Sequence, residues 1–298
     1  MADRRPGQEL ARRRLGDALR RYREKSNVRI EAAAGELECS AAKISRLENG
    51  LAPAKLWEVR VLLNLYKVRD RTTRSRMERW AKHTREPGWW EDDTADLVSA
   101  LRSGDNSLYL AAETDASRVR MYCTPVLPSL LQTPDYAAAH TRVRRPDWSE
   151  SDVARFTEFR LKRQESVLRE SDPVRLDAVV DEAAARRMVG SRATHLAQLR
   201  WLADTLDAFA ATGRDALQVR VLPFSAGVPS RALSAFTIIE PRQPEVNRPM
   251  VFLEDTFGGS WAGVGDVETM SAIFAELVES ALDPEHSRHF LREVVERL

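Results

Sequence analysis

The chain has 298 residues, of which 43% are hydrophobic and 31% are charged, a composition compatible with globular packing. This length exceeds that of a typical single domain, so two domains are expected. No apolar run approaches the roughly 20 residues that span a bilayer, and the charged start lacks the apolar middle of a secretory signal. The two cysteines, Cys39 and Cys123, lie far apart and are interpreted as ordinary packed thiols. These features predict a cytoplasmic protein without a membrane association.

The net charge of +1 conceals an asymmetry along the chain. Residues 1–86 contain 22 basic and 12 acidic side chains, a balance of +10, whereas residues 87–298 contain 24 basic and 33 acidic ones, a balance of −9. A basic unit joined to an acidic one indicates contact with nucleic acid. A solvated basic face is the alternative, and charge alone does not separate the two.

The N-terminal unit has the periodicity of short helices. Leu15, Leu19 and Tyr22 recur at helical spacing in ARRRLGDALRRYREKS, and VRIEAAAGELE keeps a stripe of small apolar residues. The segments SAAKISRLENG, AKLWEVRVLLNLY and DRTTRSRMERWAKHTRE follow with further amphipathic patterns. Five helices over residues 1–86, with about three residues between the second and the third, are typical of a helix-turn-helix domain.

The third helix has little apolar surface to bury. Ser40 is placed to cap its start, Gly50 to end it, and only Ile44 and Leu47 face inward. We therefore expect its other side to lie in a groove of double-stranded DNA. A purely structural bundle is the alternative.

The residues of this helix suit contact with DNA. Short alanines allow close approach, Ser45 and Arg46 can reach base edges or phosphates, and a helix N-terminus with Ser40 can hold a phosphate. The predicted DNA-binding residues are Arg29, Ser40, Ala41, Ala42, Lys43, Ser45, Arg46 and Asn49.

The stretch SAAKISRLENG resembles the recognition helix of Xre-type helix-turn-helix regulators. The resemblance implies that Glu48 is structural and pairs with an arginine of the first helix, Arg20 or Arg23. Glu38 stands where the family often has glycine in the turn. Arg29 stands where a serine or threonine usually caps the second helix, so Arg29 is expected to contact a phosphate instead.

The sequence changes character after residue 86. EPGWWEDD combines a Pro-Gly pair, which is typical of a turn, with two adjacent tryptophans. It predicts a hinge whose aromatic side chains are packed. Beyond it, helical segments alternate with segments rich in β-branched residues. The sequence predicts a mixed α/β domain over residues 87–298, with strands at 174–182, 216–224, 233–241 and 250–257.

The second domain shows no motif of a catalytic, metal or cofactor site, so we expect no enzyme activity. His286 and His289 are three residues apart but lack other evident metal ligands, so we interpret them as part of a solvated helix face. Asp177, Asp181 and Glu182 could support acid–base chemistry, but turn and capping roles are favoured.

Two stretches leave a ligand role open. FGGSWAGVG, residues 257–265, could present amides to an anion but is more simply a flexible connection. LLQTPDY, residues 130–136, places Gln132, Thr133 and Tyr136 in an apolar frame, and a structured turn with Thr133 as the cap of a helix beginning at Pro134 is favoured. No ligand is assigned.

GWW, VLPSLLQTPDYAAA, VVDEAAARRMVG and QVRVLPFSAGV occur in the order found in the WhiJ-like, or Scr1-type antitoxin-like, regulators of actinobacteria, which the chain resembles over about residues 12–290. Ser129 replaces the glycine of the family's loop. The resemblance implies a sequence-specific transcriptional regulator whose second domain binds a small companion protein or effector. An antitoxin-like protein that neutralises such a partner is the alternative, and a homodimer is one arrangement that would cover two half-sites.

Overall fold

A computed structural model of the chain describes residues 7–90, 96, 106–168, 173–213, 215–227, 234–242, 248–255, 258–263 and 265–298. The chain divides into two compact units. The N-terminal unit comprises residues 3–93 and 107–112, and the C-terminal unit is formed mainly by residues 113–298. These units differ from the predicted ranges 1–86 and 87–298 because residues 87–93 and 107–112 group with the N-terminal unit.

The N-terminal unit contains the five helices that the sequence predicts. They are α1 (Gly7–Lys25), α2 (Ile30–Glu36), α3 (Ala41–Glu48), α4 (Leu56–Leu65) and α5 (Arg71–His83). α1 packs against α3 and α5, and α4 packs against α2 and α5. One apolar core contains Leu15, Leu19, Ile44, Leu63 and Met77, all nearly inaccessible to water. The segment before the second unit adds Trp90, which is buried and lies edge-on to Trp89.

The turn of the helix-turn-helix keeps a left-handed residue although glycine is absent. Glu38 has a φ of 49°. Its amide donates to the carbonyl of Gly35 at 3.1 Å, and the amide of Cys39 donates to the carbonyl of Ala34 at 2.9 Å. This is the Schellman arrangement that ends a helix, with Glu38 at the position that glycine usually occupies.

α6 (Asn106–Thr114) precedes a C-terminal unit of mixed α/β architecture, which confirms the predicted fold class. Its further elements are β1 (Ala116–Cys123), a 3-10 turn (Ser129–Leu131), α7 (Pro134–Arg144), α8 (Glu150–Leu168), β2 (Arg175–Asp181), α9 (Glu182–Arg186), α10 (Arg192–Ala211), β3 (Leu217–Leu222), a 3-10 turn (Phe224–Ala226), β4 (Phe236–Pro241), β5 (Met250–Leu253), β6 (Ser260–Trp261), α11 (Asp266–Ser280) and α12 (Pro284–Arg297).

In the described chain these strands form one six-stranded sheet in the order β3-β2-β1-β4-β5-β6. β1, β2 and β3 are parallel, and β4, β5 and β6 are added in antiparallel pairs. On one face, Tyr122, Val179 and Ile238 pack with Phe274 and Leu277 of α11. Val119 and Met121, which alternate with Tyr122 along β1, are buried on the other face. Both faces of the centre of the sheet are therefore covered.

Candidate nucleic-acid interface

α3 is fixed in the N-terminal unit by its caps and by two core residues. The Ser40 hydroxyl accepts a hydrogen bond from the amide of Lys43 at 3.2 Å, which confirms the predicted cap. Ile44 and Leu47 are buried. At the other end, Gly50 adopts a φ of 71° and the amide of Leu51 donates to the carbonyl of Arg46 at 2.8 Å. The helix ends there, as its glycine predicts.

A buried ion pair connects α3 to α1. Arg23 Nε and a terminal guanidinium nitrogen donate to the two carboxylate oxygens of Glu48 at 2.7 and 2.9 Å. The hydrogen bond to Glu48 raises the pKa of Arg23, and Arg23 also donates to the carbonyl of Val28. Arg20 instead pairs with Glu24 on the surface of α1. Of the two partners that the resemblance allows for Glu48, the structure therefore selects Arg23.

The side of α3 away from the core is exposed to solvent. Ser40, Ala42, Arg46 and Asn49 are exposed, while Ala41, Lys43 and Ser45 are partly buried; Arg29, at the start of α2, is also exposed. In the described part of the chain, the side chains of Arg46 and Arg29 have neither a hydrogen bond nor an ion pair. Both guanidinium groups remain available to a partner.

Besides the capping residue Ser40, the predicted DNA-binding residues Lys43, Ser45 and Asn49 already have intramolecular partners. Lys43 Nζ donates to Glu58 Oε1 at 2.5 Å, and this hydrogen bond raises the pKa of Lys43. The other oxygen of Glu58 accepts from the amide of Lys55 at 2.7 Å. The amide group of Asn49 donates to the Ser45 carbonyl at 2.9 Å. Lys43 therefore connects α3 to the first turn of α4, and Asn49 secures the last turn of α3.

Exposed apolar side chains near α3 were not among the predicted site residues. Trp57 is 51% exposed and adjoins Glu58, the partner of Lys43. Leu51, directly after α3, is 67% exposed. The sequence could have indicated that Trp57 is exposed, because Val59 and Leu62 form the buried stripe of α4 and Trp57 does not lie on that stripe.

The polar residues of the 130–136 stretch hold a turn together. Gln132 donates to the carbonyl of Leu127 and accepts from Arg160, both at 2.8 Å. Tyr136 is fully buried. Thr133 occupies the cap position of α7, which begins at Pro134, but its side chain makes no capping hydrogen bond.

The acidic and histidine candidates of the second unit also have structural partners. Asp181 caps α9 by accepting from the amide of Ala183 at 2.8 Å, and Asp177 pairs with Arg118. The Glu182 carboxylate accepts from Arg186 and from a backbone amide. His286 pairs with Asp283 at 2.8 Å. Within the described ranges, no group of metal-ligating side chains is arranged to hold an ion.

The five helices, the capped α3 and its exposed basic face define a helix-turn-helix unit of the Xre type. A family profile described as "Helix-turn-helix domain" matches residues 14–77, and the protein is a DNA-binding regulator. A second profile, described as "Domain of unknown function (DUF5753)", matches residues 107–293, so the chain belongs to this family. Comparison with curated proteins and with solved structures returns no match. No helix in the described ranges has both the length and the apolarity needed to cross a membrane.

Proposed function

We propose that the protein is a sequence-specific transcriptional regulator that occupies an operator through α3. The observation that carries the proposal is the exposed face of α3, where Arg46 has no partner in the described chain. This face belongs to a segment with a charge balance of +10. Arginine is the most frequent reader of guanine in the major groove, and the capped N-terminus of α3 suits a phosphate.

The ion pairs around α3 support this function by holding the helix rigid. Arg23–Glu48 and Lys43–Glu58 connect α3 to α1 and α4, so its exposed side chains are presented in a fixed orientation. Orientation matters because base readout depends on hydrogen bonds of defined geometry. A single helix-turn-helix reads one half-site, and a homodimer would read two.

For the second unit we propose a binding role without catalysis. The resemblance to WhiJ-like, Scr1-type regulators of actinobacteria favours a small companion protein or an effector, and the acidic balance of residues 87–298 favours a basic partner. In the antitoxin-like alternative, neutralising that partner is the main task. We also propose a cytoplasmic location, which the DNA-binding helix-turn-helix domain supports.

Salt dependence tests the DNA contact. If the N-terminal unit contacts about four phosphates, the affinity of the full chain for duplex DNA should fall on the order of 10²-fold between about 50 and 200 mM salt. Fluorescence anisotropy with a labelled duplex measures this change, and fragment 113–298 serves as the control that should not bind. An affinity independent of salt, or equal binding by the control fragment, would contradict the proposal.

A further inference from the structure

The sheet face that packs against α11 is apolar at one end and charged at the other. Tyr122 of β1 and Val179 of β2 are buried in the apolar part. Side chains two or four positions apart along a strand share a face, so Arg118 and Arg175 lie on this face nearer the starts of the two strands. Their side chains are 35% and 41% exposed. In the described chain, the charged part of this face is therefore open to solvent.

The strand register places two arginines side by side in the open part. Arg118 of β1 is the register partner of Arg175 of β2. Neighbouring strands lie about 4.8 Å apart, a distance at which two like charges repel. The Asp177 carboxylate accepts a hydrogen bond from Arg118 Nε at 2.5 Å and another from Arg175 Nε at 3.2 Å. These three side chains form one contiguous group, here called the paired-arginine cluster.

Most of the hydrogen-bond donors of the paired-arginine cluster are unused. Arg118 and Arg175 donate to Asp177 through Nε alone, and within the described ranges the terminal guanidinium nitrogens of both make no hydrogen bond. Those nitrogens carry further N–H donors in a planar arrangement that matches the oxygens of an oxyanion. One carboxylate also offsets only one of the two positive charges. The cluster therefore retains a positive charge within a segment whose balance is −9.

The next arginine on this face shows what a fully engaged side chain looks like. Glu240 of β4 is the register partner of Arg118, yet its Oε1 lies 2.8 Å from Arg120 Nε. Arg120 also donates to the hydroxyl of Ser271 on α11 at 3.0 Å, and its side chain is only 15% exposed. Arg120 thus has a carboxylate of its own, whereas Arg118 and Arg175 share Asp177.

We propose that Arg118 and Arg175 bind a phosphate or carboxylate group of a small molecule. The oxyanion accepts charge-assisted hydrogen bonds from the terminal guanidinium nitrogens and offsets the remaining positive charge. Asp177, which is 7% exposed, is a positioning residue that holds both guanidinium groups by their Nε atoms. This inference rests on the binding role proposed for the second unit and specifies an anionic effector for it. DNA binding through α3 does not depend on it.

Isothermal titration of the full chain tests the site, with sodium phosphate in one arm and succinate in the other, at constant ionic strength. We expect saturable binding of at least one ion, and the arm that binds distinguishes phosphate from carboxylate recognition. Arg175→Gln should weaken binding roughly tenfold or more, because a charge and its donors are lost. Arg175→Lys keeps the charge without the planar donors and should restore only part of the affinity. Circular dichroism verifies that both variants keep their secondary structure.

Arg142→Gln is the matched control, because Arg142 is 50% exposed in the same unit and pairs with Glu150. It removes the same charge from outside the cluster, so anion binding should stay within about twofold of wild type. Arg46→Ala should leave anion binding unchanged and Arg175→Gln should leave DNA affinity unchanged, so the two binding proposals fail separately. Absence of saturable binding in both arms, or equal losses in the Arg142 and Arg175 variants, would overturn the inference.

Discussion

At the scale of single residues, three residues other than glycine in the described part of the chain adopt left-handed backbone conformations where helices end. Asn27, Glu38 and Lys67 have φ values of 51°, 49° and 55°, and follow α1, α2 and α4. Asparagine tolerates this region, whereas glutamate and lysine are strained there. Glu38 lies in the turn between α2 and α3, so its strain falls where the position of α3 is set.

Replacing Glu38 with glycine should stabilise the N-terminal unit. Relief of the left-handed strain exceeds the added entropy of the unfolded glycine, and we expect a net gain of about 0.5–1 kcal/mol. Amide hydrogen exchange of α1–α5 in the full chain measures the change. Glu36→Gly is the control: Glu36 is exposed and helical, so glycine there should cost about 1 kcal/mol. Equal effects of the two substitutions would show that the left-handed position contributes nothing.

Residue roles were predictable where a motif specified them. The pairing of Glu48 with α1 followed from the recognition-helix pattern, and the Ser40 cap followed from its position before the helix. The partner of Lys43 could not be predicted in this way. Glu58 lies fifteen residues away on another helix, and only the fold of the unit brings the two side chains together. A lysine in a groove-facing pattern gives no sign of an intramolecular partner.

At the scale of elements, α1 and α3 approach closely at Gly16. A Cβ atom added to Gly16 would lie 2.5 Å from the carbonyl oxygen of Leu47 and 2.7 Å from that of Glu48. Backbone atoms cannot yield as a flexible side chain can. The absence of a side chain at Gly16 therefore sets the distance between α1 and the end of α3.

Gly16→Ala should destabilise the N-terminal unit by at least about 1 kcal/mol, although alanine is the better helix former. Gly35→Ala is the matched control in α2, where an added Cβ meets nothing within 4 Å, and it should stabilise by about 0.5–1 kcal/mol. Hydrogen exchange of α1–α5 reports both variants. Stabilisation by Gly16→Ala would contradict the close approach of the two helices.

The sequence predicted the helices of the first unit and four strands of the second, but not β1 or β6. β1 lies inside the sheet between β2 and β4, yet it carries Arg118 and Arg120, which are unusual in an interior strand. The structure accommodates Arg118 by an ion pair with Asp177 of β2. This ion pair depends on β1 and β2 being neighbours in the sheet, and the local sequence pattern of a strand does not specify its neighbours.

At the scale of the whole molecule, a basic segment with a DNA-binding helix-turn-helix domain is joined to an acidic segment that contains the DUF5753 domain. The first unit includes residues as far as 112, so fragment 1–112 contains all of it. Under our proposal, the two units divide DNA binding and partner binding between them. Linkage then requires that any effect of the partner on DNA affinity equals the effect of DNA on partner affinity.

Capture of a companion protein should need the second unit. In pulldowns from the native host, we expect the full chain to retain one small basic protein in stoichiometric amount. Fragment 1–112 should lose this capture while remaining helical by circular dichroism and retaining weak DNA binding. Capture by fragment 1–112 alone would place the partner on the helix-turn-helix unit. Equal DNA affinity with and without saturating partner would show that the two binding events are not coupled.

Selection of bound sequences from a pool of random duplexes tests most directly whether α3 reads DNA. The full chain should enrich one motif. Arg46→Ala should bind that motif more weakly by about 1–3 kcal/mol and lose preference at one base position. Arg79→Ala removes the same charge from an exposed position of α5, which packs on α1 and α4, and should leave the motif unchanged. Enrichment of no motif, or the same motif and affinity for Arg46→Ala as for wild type, would contradict the assignment of α3 as the recognition helix.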